Sequence, residues 1–370
     1  REEMNMSYSV LVLAGTYPDN EGHVGLMYVH TRNIYYVKNG LDVTVLNFES
    51  KSSYRIDGVN VTCYKDYKKQ NKKYDLLILH AANIREHLRF LLRYKSRFPA
   101  YLFFYHGHEI MHVNKEYSEP YFYVKSSKTK YLIQNVYDQF KLMVWNRFLR
   151  INIEKCKFIF VSNWMYNVFL RNLKLPNDSL NGKVNVIYNG VAEEFENRIF
   201  DSSSEKKYDF VTIRSNLDAS KYGIDIVNRI AKNTPNAKFL IVGKGKFFDY
   251  YDRANNVEWQ NRTLNHEEII KILNQSKYAL MPTRTDAQGL MTCEMAAFGM
   301  PVITSDIEVC HEIFDGFCNV TLIDNKDDSL SLESFVNKPI QAVKDERLYM
   351  HKTVQKEIDL IYKIINEVEK

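Results

Sequence analysis

The sequence predicts an α/β protein of two doubly wound domains that face each other across a cleft, with a C-terminal helix crossing back to the first domain. Three observations carry this. The chain has 370 residues, and at roughly 150 residues per domain that length suits two. Short apolar runs alternate with helical periodicity, the pattern of parallel strands joined by crossover helices. A polar, serine-rich stretch at 192–207 interrupts the alternation, which then restarts.

In the first half, Ser9–Ala14 is a short apolar run that ends in Gly15, so it reads as the first strand. Helical spacing follows from about Val24 to Lys38, closed by Asn39-Gly40 as a C-cap signal. Asp42–Phe48, Asp75–His80, Ala100–Tyr105 and Lys157–Val161 are the later strands. In the second half, Asp209–Arg214, Lys238–Val242, Tyr278–Met281 and Pro301–Thr304 read as strands. Ile224–Asn233, His266–Gln275 and Leu290–Phe298 are the helices between them. Ile358, Ile361, Ile365 and Val368 give the last segment helical spacing. The expected division is a first domain at 1–192, a linker at 193–207, a second domain at 208–345 and a terminal helix at 346–370 packing on the first domain. In doubly wound sheets ligands sit beyond the carboxyl ends of the strands, so the loops after the strands are expected to line the cleft.

Composition removes several classes. Apolar residues make up 45% and charged residues 26%, which excludes a disordered or collagen-like chain. No apolar run reaches the roughly 18 residues a membrane-spanning helix needs. Arg1–Met4 lacks the basic-then-apolar pattern of a signal peptide, and Met4 or Met6 reads as a start. Five cysteines (63, 156, 293, 310 and 318) without a Cys-x-x-Cys spacing fit reduced thiols in a cytoplasm rather than a disulfide framework or a zinc site. Residues 1–190 carry 27 Lys and Arg against 16 Asp and Glu, a net +11; residues 191–370 carry 23 against 29, a net −6. The basic half is expected to meet something anionic.

Chemistry concentrates in the segment from Met281 to Ser305. A strand ends at Pro282, a polar loop carries Asp286 and Gly289, and a helix begins near Leu290 and carries Glu294. Amide N–H groups at a helix start, approached over a glycine, suit an anion such as a diphosphate; the amides near Gly289, Leu290 and Met291 are the candidates. Asp286 and Glu294 flank that site and are placed to accept hydrogen bonds from sugar hydroxyls. A routine strand–helix connection with solvated acids is the plain alternative. Arg214, at a strand end, and Lys221 have the fork and point charge that suit a diphosphate. Gly15-Thr-Tyr-Pro-Asp-Asn-Glu-Gly-His-Val-Gly25 follows the first strand; Gly22 and Gly25 let backbone approach a ligand. The dinucleotide Gly-x-Gly-x-x-Gly pattern is absent, which counts against a nicotinamide enzyme. His106 lies just past a strand end. His106-x-His108 lacks further ligands for a metal, and His108 is better read as a structural hydrogen-bonding histidine.

Glu294-Met-Ala-Ala-Phe-Gly-Met-Pro-Val-Ile303, with Asp286 eight residues before it, resembles the signature of the family-4 glycosyltransferases, which have two Rossmann-like domains in the arrangement called GT-B. The first acid of that signature is Glu, so Asp286 departs by one methylene. Asn185-Val-Ile-Tyr-Asn-Gly-Val191 and Ile213-Arg-Ser-Asn-Leu-Asp-Ala-Ser-Lys-Tyr-Gly223 resemble two further motifs of the family, the second with two extra residues between Arg214 and Lys221. Leu240-Ile-Val-Gly-Lys-Gly245 resembles its turn near the nucleotide base, which brings in Gly243. The resemblance implies a retaining, metal-independent hexosyltransferase without a cofactor. It would use a nucleotide diphosphate-sugar and act on a glycan or lipid-linked acceptor in bacterial surface polysaccharide synthesis, capsule or lipopolysaccharide. The first domain would serve the acceptor and the second the donor. Arg214 and Lys221 would bind the diphosphate, Asp286 the sugar, Glu294 the ribose and His106 the sugar beside the reacting centre. A sugar-nucleotide epimerase of the same architecture and a non-enzymatic sugar-nucleotide-binding subunit stay open. No nucleic-acid module accompanies the basic half.

Two basic stretches read as amphipathic helices for an anionic membrane face, consistent with a cytoplasmic protein at the inner face of the membrane. In Ile84–Phe98, Leu88, Leu91 and Leu92 lie on one side and Arg85, Arg89 and Arg93 on another; in Tyr137–Arg150, Trp145 stands among basic residues. A core-packed helix with a solvated basic face is the alternative for each. The Tyr-rich loop at 117–123 is a candidate for stacking on an acceptor sugar.

Overall fold

A computed structural model describes residues 8–23, 25–124 and 127–369. The expected start of the chain, Val24 at the expected start of the first helix, and Lys370 lie outside the described residues. The chain divides into two compact units: Arg1–His112 with Tyr137–Gly190 and Met350–Lys370, and Val113–Val136 with Val191–Tyr349.

The first unit is built on eight strands: β1 (Ser9–Ala14), β2 (Asp42–Asn47), β3 (Tyr54–Ile56), β4 (Val59–Cys63), β5 (Leu76–His80), β6 (Tyr101–Tyr105), β7 (Cys156–Phe160) and β8 (Val184–Val186). Their order is β3-β4-β2-β1-β5-β6-β7-β8. All pairs are parallel except β3 with β4. β5 and β6 are buried at every position, which is why they read as continuous apolar runs rather than alternating ones.

The second unit holds β9 (Tyr208–Asn216), β10 (Phe239–Lys244), β11 (Val257–Gln260), β12 (Ser276–Leu280), β13 (Val302–Ser305) and β14 (Val320–Ile323). They form an all-parallel sheet in the order β11-β10-β9-β12-β13-β14. Numbered within the sheet this is 3-2-1-4-5-6, the doubly wound order, whose reversal falls between β9 and β12. The reversal in the first sheet falls between β1 and β5.

Three expected boundaries differ. Residues 193–207 are not a free linker. Phe195 and Phe200 are buried and meet Phe298 at ring distances of 6.1 and 6.2 Å, and Lys344 donates to the Phe195 and Arg198 carbonyls. Residues 113–136 belong to the second unit although they interrupt the first in sequence. Tyr121 is buried in that unit's core beside Phe247, and its hydroxyl donates to Asp225 at 2.8 Å. The second unit runs on to Tyr349 rather than ending at 345.

The terminal helix, Val354–Val368, buries Ile358, Ile361, Ile364 and Ile365 in the first unit's core with Val29 and Tyr36; Val368, expected on the same face, is exposed. Within that interface Glu357, fully buried, accepts from Arg32 Nε at 2.7 Å, from Arg32 Nη2 at 3.0 Å and from the Tyr36 hydroxyl. Arg32 Nη2 also donates to Asn189 at 2.9 Å. Removing one partner of such a pair strands a charge in low dielectric. Glu357→Ala is therefore expected to cost on the order of 3–5 kcal/mol, and Arg32→Met with Glu357→Leu to recover part of that loss. Urea denaturation followed by circular dichroism measures both; a loss under 1 kcal/mol in Glu357→Ala contradicts the assignment.

Candidate functional site

In the second unit the candidate residues gather at the carboxyl ends of β9 and β12, where the strand order reverses. Arg214 is only 6% exposed. Its Nη2 donates to the carbonyls of Met281 and Pro282 at 3.1 and 2.9 Å, and its Nε has no partner among the described residues. No carboxylate lies within ion-pair distance of it among those residues. Burial holds its pKa below the usual arginine value, and the Asp286 charge opposes that shift. Gly243 explains how β10 closes against this arginine: a Cβ there would stand 2.1 Å from the Arg214 carbonyl oxygen.

The guanidinium carbon of Arg214 lies 4.8 Å from the centre of the Tyr222 ring, and Lys221 Nζ lies 4.8 Å from the same centre. Lys221 is also 5.0 Å from the Tyr117 ring centre. The two cations, separated by the two extra residues noted in sequence, are thus gathered around one ring. The helix Leu290–Phe298 starts beside them at Gly289, whose φ of 76° needs glycine's freedom. Its first turn has no side-chain cap and no acid, so the amide N–H groups there are available to an anion. Asp286 is half-buried; its Oδ2 would stand 3.6 Å from a Cβ at Gly289, and its Oδ1 accepts from the Gln288 amide at 3.4 Å.

The loop between β12 and this helix is fixed by residues that carried no signal in the sequence. Arg284 clasps Asp225 with two hydrogen bonds of 2.9 and 2.6 Å and donates to the Ser220 carbonyl at 2.7 Å. Asn325 donates to the Thr283 carbonyl, and the Thr283 amide donates to Ser305 Oγ. The Arg284–Asp225 pair joins residues 59 positions apart, and no local pattern predicts such a partner.

Glu294 is placed more deeply than Asp286. It is buried, accepts the Ala192 amide and neighbours His266 and Glu194. Burial pushes its pKa up to about 7. The Tyr-rich loop is likewise engaged in packing. Tyr121 holds Asp225, and Tyr123 stacks on Tyr250 at 4.3 Å while donating to Asp218 at 2.6 Å. Tyr121 and Tyr123 are thus not free stacking surfaces.

In the first unit, the loop after β1 folds on itself. Asp19 accepts the Glu21 and His23 amides at 2.9 and 3.0 Å, and Thr16 meets His23 Nε2 at 2.7 Å. Gly22 has φ 95° with nothing near its missing Cβ, so backbone conformation is what requires it; a Cβ at Gly25 would strike Thr16 and His23 at 2.7 Å. His106 follows β6. Its amide donates to Glu109 at 2.5 Å, its ring stands edge-on to Tyr28 at 4.8 Å, and its Nε2 lies 3.0 Å from Nδ1 of His80. Burial, reinforced by the Arg32 charge, holds its pKa well below the usual histidine range. His108 is exposed, and its carbonyl accepts from the buried Lys141 at 2.8 Å.

Two membrane-face expectations are corrected. Trp145 is 2% exposed and packs edge-on to Phe103 and Phe148 at 5.9 Å. It shares helical phase with Leu142, Phe148 and Leu149 on the inner side of Lys128–Asn152. Arg85, Arg89 and Arg93 are exposed, but Leu92 joins them. The buried arc of that stretch is centred on His87, Phe90, Leu91 and Tyr94, and Leu92 lies outside it.

Glu294→Gln isolates the burial effect. A carboxyl whose pKa rises on folding stabilises the fold below its unfolded value and loses that contribution as pH rises through about 7. The variant, which keeps an acceptor for the Ala192 amide, is expected to match wild type at pH 4 and to exceed it by on the order of 3 kcal/mol at pH 8. Melting temperature against pH measures this; a difference independent of pH contradicts it.

Comparison with known proteins adds the following. Residues 210–342 match the family described as "Glycosyl transferases group 1". The O-antigen biosynthesis glycosyltransferase WclY of Escherichia coli is 25% identical over 170 residues, which cover 42% of this chain and 47% of the relative. This chain thus spans about half the length of the curated relatives it matches. Among solved structures, the sucrose-phosphate synthase from Thermosynechococcus elongatus superposes with a TM-score of 0.73 at 15% identity, covering 97% of this chain and 100% of the other. A glycosyltransferase from Rickettsia africae superposes with a TM-score of 0.64 at 11% identity, covering 97% and 99%. At these identities the likeness concerns the fold. The two-sheet α/β fold is that of the GT-B glycosyltransferases, and residues 210–342 are similar in sequence to the glycosyl transferases group 1.

Proposed function

We propose that this protein transfers a sugar, with retention of anomeric configuration and without a metal, from a nucleotide diphosphate-sugar to a glycan or lipid-linked acceptor of a bacterial surface polysaccharide. The observation that carries the proposal is the pairing of Arg214 and Lys221 around Tyr222, with no ion-paired carboxylate among the described residues, beside the uncapped helix start at Gly289. Two uncompensated cations and a row of free amides suit a diphosphate. The match of residues 210–342 to group 1 glycosyltransferases supports the same reading.

In the proposed reaction the bond from the anomeric carbon to the diphosphate oxygen breaks, and the acceptor oxygen bonds to that carbon on the same face. The acceptor's proton passes to the departing phosphate. Negative charge grows on the leaving diphosphate, and Arg214, Lys221 and the Leu290 and Met291 amides stabilise it. Asp286 is assigned to the sugar hydroxyls, Glu294 to the ribose and His106 to the transferred sugar.

Incubation with UDP-, GDP- and ADP-sugars tests the class. Transfer or donor hydrolysis supports it, an isomerised donor points to an epimerase, and binding without turnover to a binding subunit. In the active enzyme Arg214→Ala is expected to lower kcat on the order of 10²-fold or more, with a smaller effect on donor affinity. Near-normal turnover removes Arg214 from the site. Asp286→Ala is expected to leave nucleoside diphosphate binding intact and abolish transfer, whereas Glu294→Ala weakens that binding; calorimetry showing equal weakening in both refutes the division of roles.

The proposal extends to a peripheral site on an anionic membrane. No helix among the described residues is long and apolar enough to cross one. The helix Lys128–Asn152 exposes Leu132, Ile133, Val136, Tyr137, Phe140 and Met143. Lys128, Lys130, Arg147 and Arg150 are exposed toward its ends, and its single acid, Asp138, is buried and paired with Lys141 at 2.8 Å. An apolar stripe with basic flanks and no exposed acid suits an anionic interface. Sedimentation with anionic vesicles at low salt, release at high salt and weaker binding by Phe140→Ser with Met143→Ser are expected. Wild-type protein that ignores anionic vesicles at low salt overturns this extension.

A further inference from the structure

His80 is the last residue of β5, fully buried, with its ring stacked on Phe104 at 4.3 Å. Its Nδ1 lies 3.0 Å from Nε2 of His106, while its Nε2 has no partner among the described residues. β5 is paired on both sides, with β1 and β6, so the ring has little freedom to move. The next residue, Ala81, has φ 48°, a left-handed conformation that costs a residue with a Cβ roughly 1–2 kcal/mol. Backbone strain of this kind gathers at functional sites.

We propose that His80 is a positioning residue that fixes the tautomer of His106, so that His106 presents Nδ1–H as a hydrogen-bond donor to an oxygen of the transferred sugar. A neutral imidazole carries one proton, so one of the two facing nitrogens donates and the other accepts. If His106 donates through Nε2–H, His80 must carry its own proton on Nε2, as a buried N–H without an acceptor. If His80 donates through Nδ1–H, its unpartnered Nε2 is a bare lone pair, and the proton of His106 resides on Nδ1. Orphaned buried N–H groups are rarer than under-used acceptors, and leaving a buried donor unmade costs its full desolvation. The second arrangement therefore wins.

The surroundings keep both rings neutral. Burial disfavours a second proton on either ring, and the Arg32 charge adds to this; His80 feels His87 and His106 as well. Glu109, the acid beside His106, is engaged by the His106 amide, and Tyr28 packs on the ring edge. His106 is half-buried with its Nε2 engaged, so Nδ1 is the nitrogen left for a ligand. On this geometry His106 is a fixed neutral donor, not a proton shuttle. The sugar as recipient rests on the transferase reading; the tautomer pair does not.

Long-range proton–nitrogen correlation on the full chain labelled with nitrogen-15 histidine reads both tautomers directly. Wild type at pH 7 is expected to show Nδ1–H on His80 and His106. Free histidine favours Nε2–H, so this pattern is diagnostic. His80→Phe, checked for folding by circular dichroism, is expected to release His106 toward Nε2–H. His80→Asn places an amide N–H near the old Nδ1 and is expected to retain the wild-type pattern. With the preferred donor, His80→Phe is expected to lower kcat about tenfold, the effect of roughly 1.4 kcal/mol, with KM little changed, and His80→Asn to restore it. An Nε2–H His106 in wild type, or an unchanged tautomer in folded His80→Phe, overturns the inference. A released tautomer with unchanged kcat overturns the role in transfer. The spectra stay readable in a protein that transfers no sugar, so failure of the transferase reading is told apart from failure of this one.

Discussion

The candidate site of the second unit depends on a guanidinium buried without a carboxylate. Taking a cation out of water costs several kcal/mol unless other groups compensate. At Arg214 two backbone carbonyls and the face of Tyr222 compensate in part, and Nε remains unmatched. Those carbonyls belong to Met281 and Pro282 at the end of β12, so the same contacts that hold the charge also fix where the following loop begins. Gly243 is required because β10 passes against the Arg214 backbone. The Arg284–Asp225 clasp then holds the loop from its other side. The surplus positive potential that results is aimed at the point where the strand order reverses and a helix start lies open.

The two units use one architecture for different electrostatic ends. In the first, the residues at the carboxyl ends of β5 and β6 are neutral histidines and a carboxyl already engaged by the His106 amide. In the second, the groups at the carboxyl ends of β9 and β12 are cations and an uncapped helix. The net charges of the two halves of the sequence point the other way, since the first half is the basic one. Its excess charge lies on exposed side chains such as Arg85, Arg89, Arg93, Lys128 and Lys130. Charge at a surface speaks to partners and solubility, whereas charge inside speaks to chemistry.

Much of the fold was legible because its strands are short, largely buried apolar runs between glycine and polar turns. β1, β2, β5, β6, β7, β9, β10, β12 and β13 follow from that pattern. The three-residue strands β3 and β8 have too few positions for a period. The four-residue β11 and β14, unlike the equally short but fully buried β13, are only partly buried and give no continuous apolar run. The allegiance of 113–136 was illegible for another reason: it is set by contacts such as Tyr121–Asp225, 104 residues apart. Trp145 was misplaced because an aromatic among basic residues suits an interface and a core equally. Only the helical phase shared with Leu142, Phe148 and Leu149 separates them. At the candidate site, Asp286, Gly289 and Arg214 were found through local spacing. The depth of Glu294 and the partnership of His80 with His106 were not, since burial and pairing are tertiary.

Arg32 and Arg214 show which features of a buried charge bear on function. Both are almost fully buried. Arg32 meets Glu357 with two hydrogen bonds and adds Asn189, so its charge is neutralised where it stands and its work is to fasten the terminal helix. Arg214 has no such acid, and the acid whose charge it feels, Asp286, stands beside Gly289 at the helix start and forms no ion pair with it among the described residues. Selection for stability alone favours the first arrangement, because an uncompensated charge lowers the stability of the native state. An arrangement of the second kind persists where an anion arrives to complete it, and the free energy withheld from folding is then released on binding. The same contrast separates His87, whose ring Nε2 meets the Leu13 carbonyl at 3.4 Å, from His80, whose unmatched nitrogen is tolerated because its other nitrogen sets the state of His106.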